Sequence, residues 1–145
     1  MEKIIIATDL NEMAASVIET GFKLARKLNA VVDLLCVVDK ELNLLAGSTG
    51  FVFDDQWAER LTSATEKLTK IQIENEDLKI NVVAFVGYPK TDILSHITNE
   101  NASFIVLGTH GRSGFTQLLM GGTAEYIVRH STIPVVVVPY NIDKH

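Results

Sequence analysis

The chain has 145 residues, 47% of them hydrophobic, and a formal net charge of -5, with an isoelectric point near 5.3. That length and apolar content suit one domain spanning 1–145 with a full core. The acidic balance argues against a general nucleic-acid or membrane-surface binder, which would carry a basic face. The start, Met1 to Ile6, enters a strand at once and has no leader pattern, and no run of 18 apolar residues follows, so a cytoplasmic setting is expected.

Lys3 to Ala7 reads as a first strand, and Asn11 to Leu28 as a helix with Ala14, Val17, Ile18, Gly21, Leu24, Ala25 and Leu28 on one face. Val31 to Val38 is a second strand, too continuously apolar to have a wet face. It carries the single cysteine, Cys36, which reads as a small core residue rather than a nucleophile. A long loop, Asp39 to Phe53, leads to a helix opened by Asp54 and Asp55 at the positive end of its dipole. Its inward residues are Trp57, Leu61, Ala64, Leu68 and Ile71; Trp57 reads as core or loop cover, the alternative being a lid near a ligand.

Ile80 to Val86 is the third strand, and Gly87-Tyr88-Pro89 turns the chain into a third helix that packs Ile93, Leu94 and Ile97. Ser103 to Leu107 is the fourth strand. After a glycine-rich stretch, Ala124 to His130 forms a short helix, and Pro134 to Val138 is the last strand, closed by Pro139. Regular alternation with right-handed crossovers predicts a doubly wound, five-stranded parallel α/β sheet with helices on both faces.

The glycine-rich stretch carries the clearest chemistry. Gly108-Thr109-His110-Gly111-Arg112-Ser113-Gly114 and then Gly121-Gly122-Thr123 follow a strand and open a helix. Glycines scattered elsewhere would serve turns alone. Here they stand beyond the carboxyl end of a strand in an alternating chain, where ligands bind, and a helix start favours an anion. A site for phosphate groups is the expectation. His110 and Arg112 are suited to phosphate oxygens, Arg112 by two parallel hydrogen bonds, or else are solvated. Asp9, just past the first strand, reads as a helix N-cap or as a ligand contact, and the two are compatible. His96, on a helical segment, and His130, at a helix end, suggest no metal, and no group of His, Cys and carboxylates has ligand spacing. Ser113 and Ser131 show no base or orienting partner in sequence.

The spacing Gly-x2-Gly-x9-Gly, set by Gly108, Gly111 and Gly121, resembles the nucleotide-binding signature of the universal stress protein family. Ile4-Ile5-Ile6-Ala7-Thr8-Asp9, Val37-Val38-Asp39, Gly87-Tyr88-Pro89 and Ile133 to Val138 resemble the family's first strand, second-strand end, third turn and last strand, so the likeness covers the whole chain. It implies a strand order of 3-2-1-4-5, which sets Asp9 beside Gly108. It also implies an ATP site, or one for AMP or ADP, with Mg2+ possible, made by Ala7, Thr8, Asp9, Val37, Leu107, Gly108, Gly111, Arg112, Gly121, Gly122 and Thr123. Asp9 would lie near the adenosine, Val37 against the adenine, and the glycine loop at the phosphates. Gly122 departs from the family, whose ATP-binding members usually carry Ser or Thr there; its backbone N–H or the Thr123 hydroxyl would take that part.

The resemblance implies a regulatory or stress-protective module rather than an enzyme, with at most very weak ATP hydrolysis. A slow ATPase in which Asp9 helps hold Mg2+ and a dimeric interaction module with an empty crevice are the alternatives. It further implies a homodimer through Val135, Val136, Val137 and Val138. These valines suit an edge strand that pairs with a second copy, although a central buried strand would suit them too.

Overall fold

Five apolar runs pair side by side, all in one direction, in the computed structural model, which describes residues 1–11, 13–41, 54–109 and 121–139. The strands are β1 (Lys3–Ala7), β2 (Val31–Asp39), β3 (Ile80–Gly87), β4 (Phe104–Gly108) and β5 (Val135–Val138). The helices are α1 (Ala14–Leu28), α2 (Asp54–Glu74), α3 (Pro89–Glu100) and α4 (Gly122–His130). The sheet order is β3-β2-β1-β4-β5, as the resemblance implied, so β5 is an edge strand and the central-strand reading of its valines is set aside.

Period-two alternation divides the core into two layers. Ile4, Ile6, Val32, Leu34, Cys36, Val38, Val106 and Val138 face one way and pack with α1 through Val17, Ile18, Phe22 and Ala25, and with α2 through Ala64 and Leu68. Ile5, Ala7, Leu35, Val37, Ile105 and Leu107 face the other way, under Ile93 and Ile97 of α3 and Ala124 and Ile127 of α4. Both faces of β2 are dry, and Cys36 is buried with a free thiol. Among the described residues, no helix is long and apolar enough to cross a membrane.

Some bounds differ from the sequence expectation: β2 runs on to Asp39, the last helix starts at Gly122 rather than Ala124, and two further differences have a visible cause. The first helix begins at Ala14, not Asn11, because Asn11 is spent on a turn: its Oδ1 accepts the Met13 N–H at 2.8 Å and its carbonyl the Ala14 N–H at 3.0 Å. Leu28, placed on the inward face, is 39% exposed, since α1 stops there and Asn29 turns left-handed with φ 53°. Asn101 ends α3 in the same way, with φ 51°, each asparagine N–H reaching back to carbonyls of the last turn.

Candidate functional site

The order reverses between β1 and β4: from β1 the chain proceeds outward to β2 and β3, then returns to β4 on the other side. The carboxyl ends of those two strands therefore flank the crevice of a doubly wound sheet. Ile6 pairs with Val106, which sets Ala7 abreast of Leu107 and Thr8 abreast of Gly108. The expected neighbours of the first and fourth strands are thus brought together.

The corner after β1 is built by its own side chains. Thr8 continues the pairing with β2, its N–H donating to the Leu35 carbonyl at 2.9 Å, while its Oγ1 accepts the Leu10 N–H at 3.0 Å. Asp9 Oδ1 accepts the Asn11 N–H at 3.1 Å. Leu10 lies between them with φ 62°, a left-handed conformation unusual for its side chain. The N-cap position of α1 is Met13, with no side-chain cap bond, so Asp9 closes a turn ahead of the helix rather than capping it.

On the other side, β4 runs out at Gly108 and Thr109. A β-carbon on Gly108 would lie 3.1 Å from Val17 Cγ2 and 3.2 Å from Met13 Cε, so this glycine is also what lets α1 lie against the end of β4. The Thr109 N–H donates to Val138 at 3.0 Å, and the Thr109 carbonyl accepts the Gly121 N–H. That bond ties the start of α4 to the end of β4, and it commits the N–H of Gly121, one of the expected site residues, to the protein itself. Gly122 opens α4, and no side chain caps this end. The N–H groups of Gly122, Thr123 and Ala124 have no acceptor within the helix.

Of the remaining expected residues, Ala7, Leu107 and Val37 are buried, so their side chains belong to the core beneath the crevice. Val37 lies on β2, two residues past Leu35, the partner of Ala7. Gly111 and Arg112, together with His110, Ser113 and Gly114, lie outside the described residues, as does most of the Asp39 to Phe53 loop. Trp57 is partly buried against the α1 and α2 layer, in keeping with core or loop cover; its indole N–H has no partner among the described residues. No group of three or more His, Cys, Asp or Glu among them is placed to hold a metal ion. A surface hollow of about 800 Å³ runs along α2 from Leu61 to Glu74 and contains none of the crevice residues. It is an open flank lined by residues of one helix, and we place no chemistry there.

Two features escaped the sequence reading. Lys90, the second residue of α3, brings its ammonium to the start of α4: Nζ lies 3.5 Å from where a Gly122 β-carbon would be and 6.0 Å from the Tyr126 ring centroid. Nothing in the local sequence ties Lys90 to Gly122, 32 positions later. The other lies at the amino-terminal side of the sheet. Asp33, 2% exposed in an otherwise apolar strand, accepts from Asn81 Nδ2 at 2.9 Å, meets His96 Nε2 at 2.9 Å and has Lys3 Nζ at 3.6 Å. Burial pushes the Asp33 carboxyl up, but the bonds from His96 and Asn81, with the Lys3 charge, outweigh it and hold the group below its ordinary range. Here His96 is a partner of a buried carboxylate. A lone Asp inside an apolar strand was the available signal.

A family model described as the universal stress protein family matches residues 1–139. A universal stress protein of Methanocaldococcus jannaschii is 28% identical over 153 aligned residues, covering 94% of each chain. The solved structure of that protein superposes with a TM-score of 0.80 at 27% identity, covering 97% of this chain and 96% of its own. Two more distant structures share the fold. One is a universal stress protein in complex with cAMP, with a TM-score of 0.63 at 16% identity, covering 95% and 96%. The other is an Arabidopsis thaliana family member with AMP bound, with a TM-score of 0.66 at 17% identity, covering 99% and 95%.

Proposed function

The chain belongs to the universal stress protein family, and from that premise we propose that it binds an adenine nucleotide, ATP, ADP or AMP, in the crevice beyond β1 and β4, as a regulatory or protective module rather than a turnover enzyme. One observation carries the reading. The braced corner after β1, the glycine end of β4 and the uncapped start of α4 converge at the point where the strand order reverses. Free N–H groups at a helix start suit phosphate oxygens. The cAMP and AMP of the two distant neighbours support the capacity of the fold; the residue assignments rest on the family resemblance and on the geometry of this chain.

In this reading Thr8 and Asp9 meet the nucleoside, the backbone beside Ala7, Val37, Leu107 and Gly108 forms the floor, and Gly122 and Thr123 hold phosphate, joined by Gly111 and Arg112. Gly121 acts by fixing the helix start, since its N–H is engaged with Thr109. Space at Gly122 fits the assignment, because nothing crowds its position closer than the Lys90 side chain. Mg2+ would accompany a triphosphate. We infer a homodimer as the working form: β5 is an edge strand whose Val135, Val136 and Val137 are half-buried, and its outer edge has no strand partner among the described residues.

Calorimetry with ATP, ADP and AMP in the presence of Mg2+, beside mass spectrometry of small molecules released from the freshly purified protein, tests the reading. Micromolar binding of at least one nucleotide is expected. No heat at millimolar nucleotide and no released nucleotide would overturn it and leave an interaction module with an empty crevice.

A further inference from the structure

Lys90 is a cation that has no ion-pair partner among the described residues. Its ammonium stands beside the start of α4, the positive end of that helix, where a basic group is disfavoured and an acidic one expected. The acidic side chains in the first turns of the two helices are engaged elsewhere. Glu125 pairs with Arg129 at 3.0 Å, and Asp92 accepts the Tyr88 N–H at 2.8 Å. Among the described residues Lys90 makes no ion pair, and its ammonium stands over the ring of Tyr126, a residue of α4 itself. Tyr126 lies one turn along α4 from Gly122, so the ammonium stands over the first turn of that helix. Like signs are therefore held together at the rim of the crevice, an arrangement that an anion between them would relieve.

We propose that Lys90 is a phosphate-binding cation of this site, and that it makes affinity rise with the number of phosphate groups on the ligand. The inference rests on the nucleotide reading above and adds to it a residue and a preference. The glycine stretch from Gly108 to Thr123 contains no lysine, and Gly122 offers no side chain. Lys90, arriving from the start of α3, brings a second positive charge beside that of Arg112, from outside the glycine segment. As a compact point charge on a flexible stem it can follow phosphate oxygens without fixing one geometry. The Gly122, Thr123 and Ala124 N–H groups give directional bonds, and Lys90 adds charge neutralisation that grows from AMP to ATP.

The test is calorimetry on the full chain at low salt with adenosine, AMP, ADP and ATP, comparing wild type with Lys90→Met, which keeps the stem, and Lys90→Arg, which keeps the charge. Wild type should bind more tightly with each added phosphate. Lys90→Met should lose about tenfold in ATP affinity, with adenosine affinity unchanged, and Lys90→Arg should retain most of it. The wild-type advantage should shrink on going from 50 mM to 300 mM salt. If wild type binds ATP and Lys90→Met binds it equally well, or if Lys90→Met weakens adenosine as much as ATP, the role assigned to Lys90 is wrong while the nucleotide site stands. If wild type binds none of the four, the nucleotide reading fails and takes this inference with it. Lys90 is exposed, so the variants should fold normally; matching thermal midpoints confirm that the comparison is of binding alone.

Discussion

Replacing Asp33 by alanine should cost more stability than its place among valines and leucines suggests. The carboxylate has His96 and Asn81 each at 2.9 Å and Lys3 at 3.6 Å, under α3. Removing one member of a buried charged cluster costs about 3–5 kcal/mol because the others are left unpaired. Here the loss is smaller. His96 and Lys3 keep 14% and 23% exposure, and Lys3 retains Glu100 at 2.8 Å, so both recover some solvent or partner contact. Asn81 loses its acceptor beneath the helix. We expect about 2–4 kcal/mol, a fall in thermal midpoint of roughly 5–15 °C for a domain of this size. Asp33→Asn keeps the volume and one acceptor, and should cost about half as much. The pH dependence has a definite sign. Because the folded carboxyl is held below its ordinary value of 3.8, the unfolded chain binds the proton more readily. The stability Asp33 contributes is therefore present above that value and fades as pH falls through the depressed folded value. Urea denaturation of wild type and Asp33→Asn at pH 7, 5, 4 and 3 measures both effects. A variant as stable as wild type at pH 7, or a gap between the two that stays constant down to pH 3, would refute the reasoning.

Gly21→Ala should destabilise by about 1–3 kcal/mol, since its β-carbon would fall on Ile6 Cδ1 where α1 crosses β1; thermal denaturation reads this without any ligand. Gly122→Ser should leave the thermal midpoint nearly unchanged, because its β-carbon lies 3.5 Å from Lys90 Nζ, in ordinary contact, and should tighten ATP binding through an added hydroxyl; calorimetry showing weaker binding would count against phosphate at that position. Val136→Lys should convert a dimer to monomer or render it insoluble. Light scattering should give about twice the 16.0 kDa chain mass for wild type, and a wild-type monomer at high concentration would exclude β5 as an interface.

The sheet was legible because its cause is local. Residues such as Ile4-Ile5-Ile6 and Val135 to Val138 have few other places to go, and both faces of a parallel strand demand apolar side chains. Helix starts were less legible where side chains compete with the helix for the same N–H groups. Asn11 could have begun α1, yet its amide oxygen and carbonyl both serve the preceding turn. The strand order came from the family likeness, since alternation alone fits several orders. At the site, the glycines of Gly108 and Gly121-Gly122 mark the crevice because backbone geometry is written in glycine. Their separate duties, Gly108 against Met13 and Val17 and Gly121 to Thr109, depend on elements that meet only in three dimensions. Lys90 and the cluster of Asp33, Asn81 and His96 were hidden for the same reason, each joining residues far apart in the chain.

The turn from β1 into α1 needs no glycine. Thr8, Asp9 and Asn11 each accept an N–H two residues ahead, and these three short closures hold Leu10 in a conformation its own side chain resists. The corner is consequently ordered when the chain folds, through bonds that require nothing from outside. A molecule docking against Asp9 meets a surface whose entropy has already been given up, so its association free energy is not diluted by arranging the loop. The same bracing limits adaptability: a corner that sets itself will recognise one shape of ligand well and conform to others poorly.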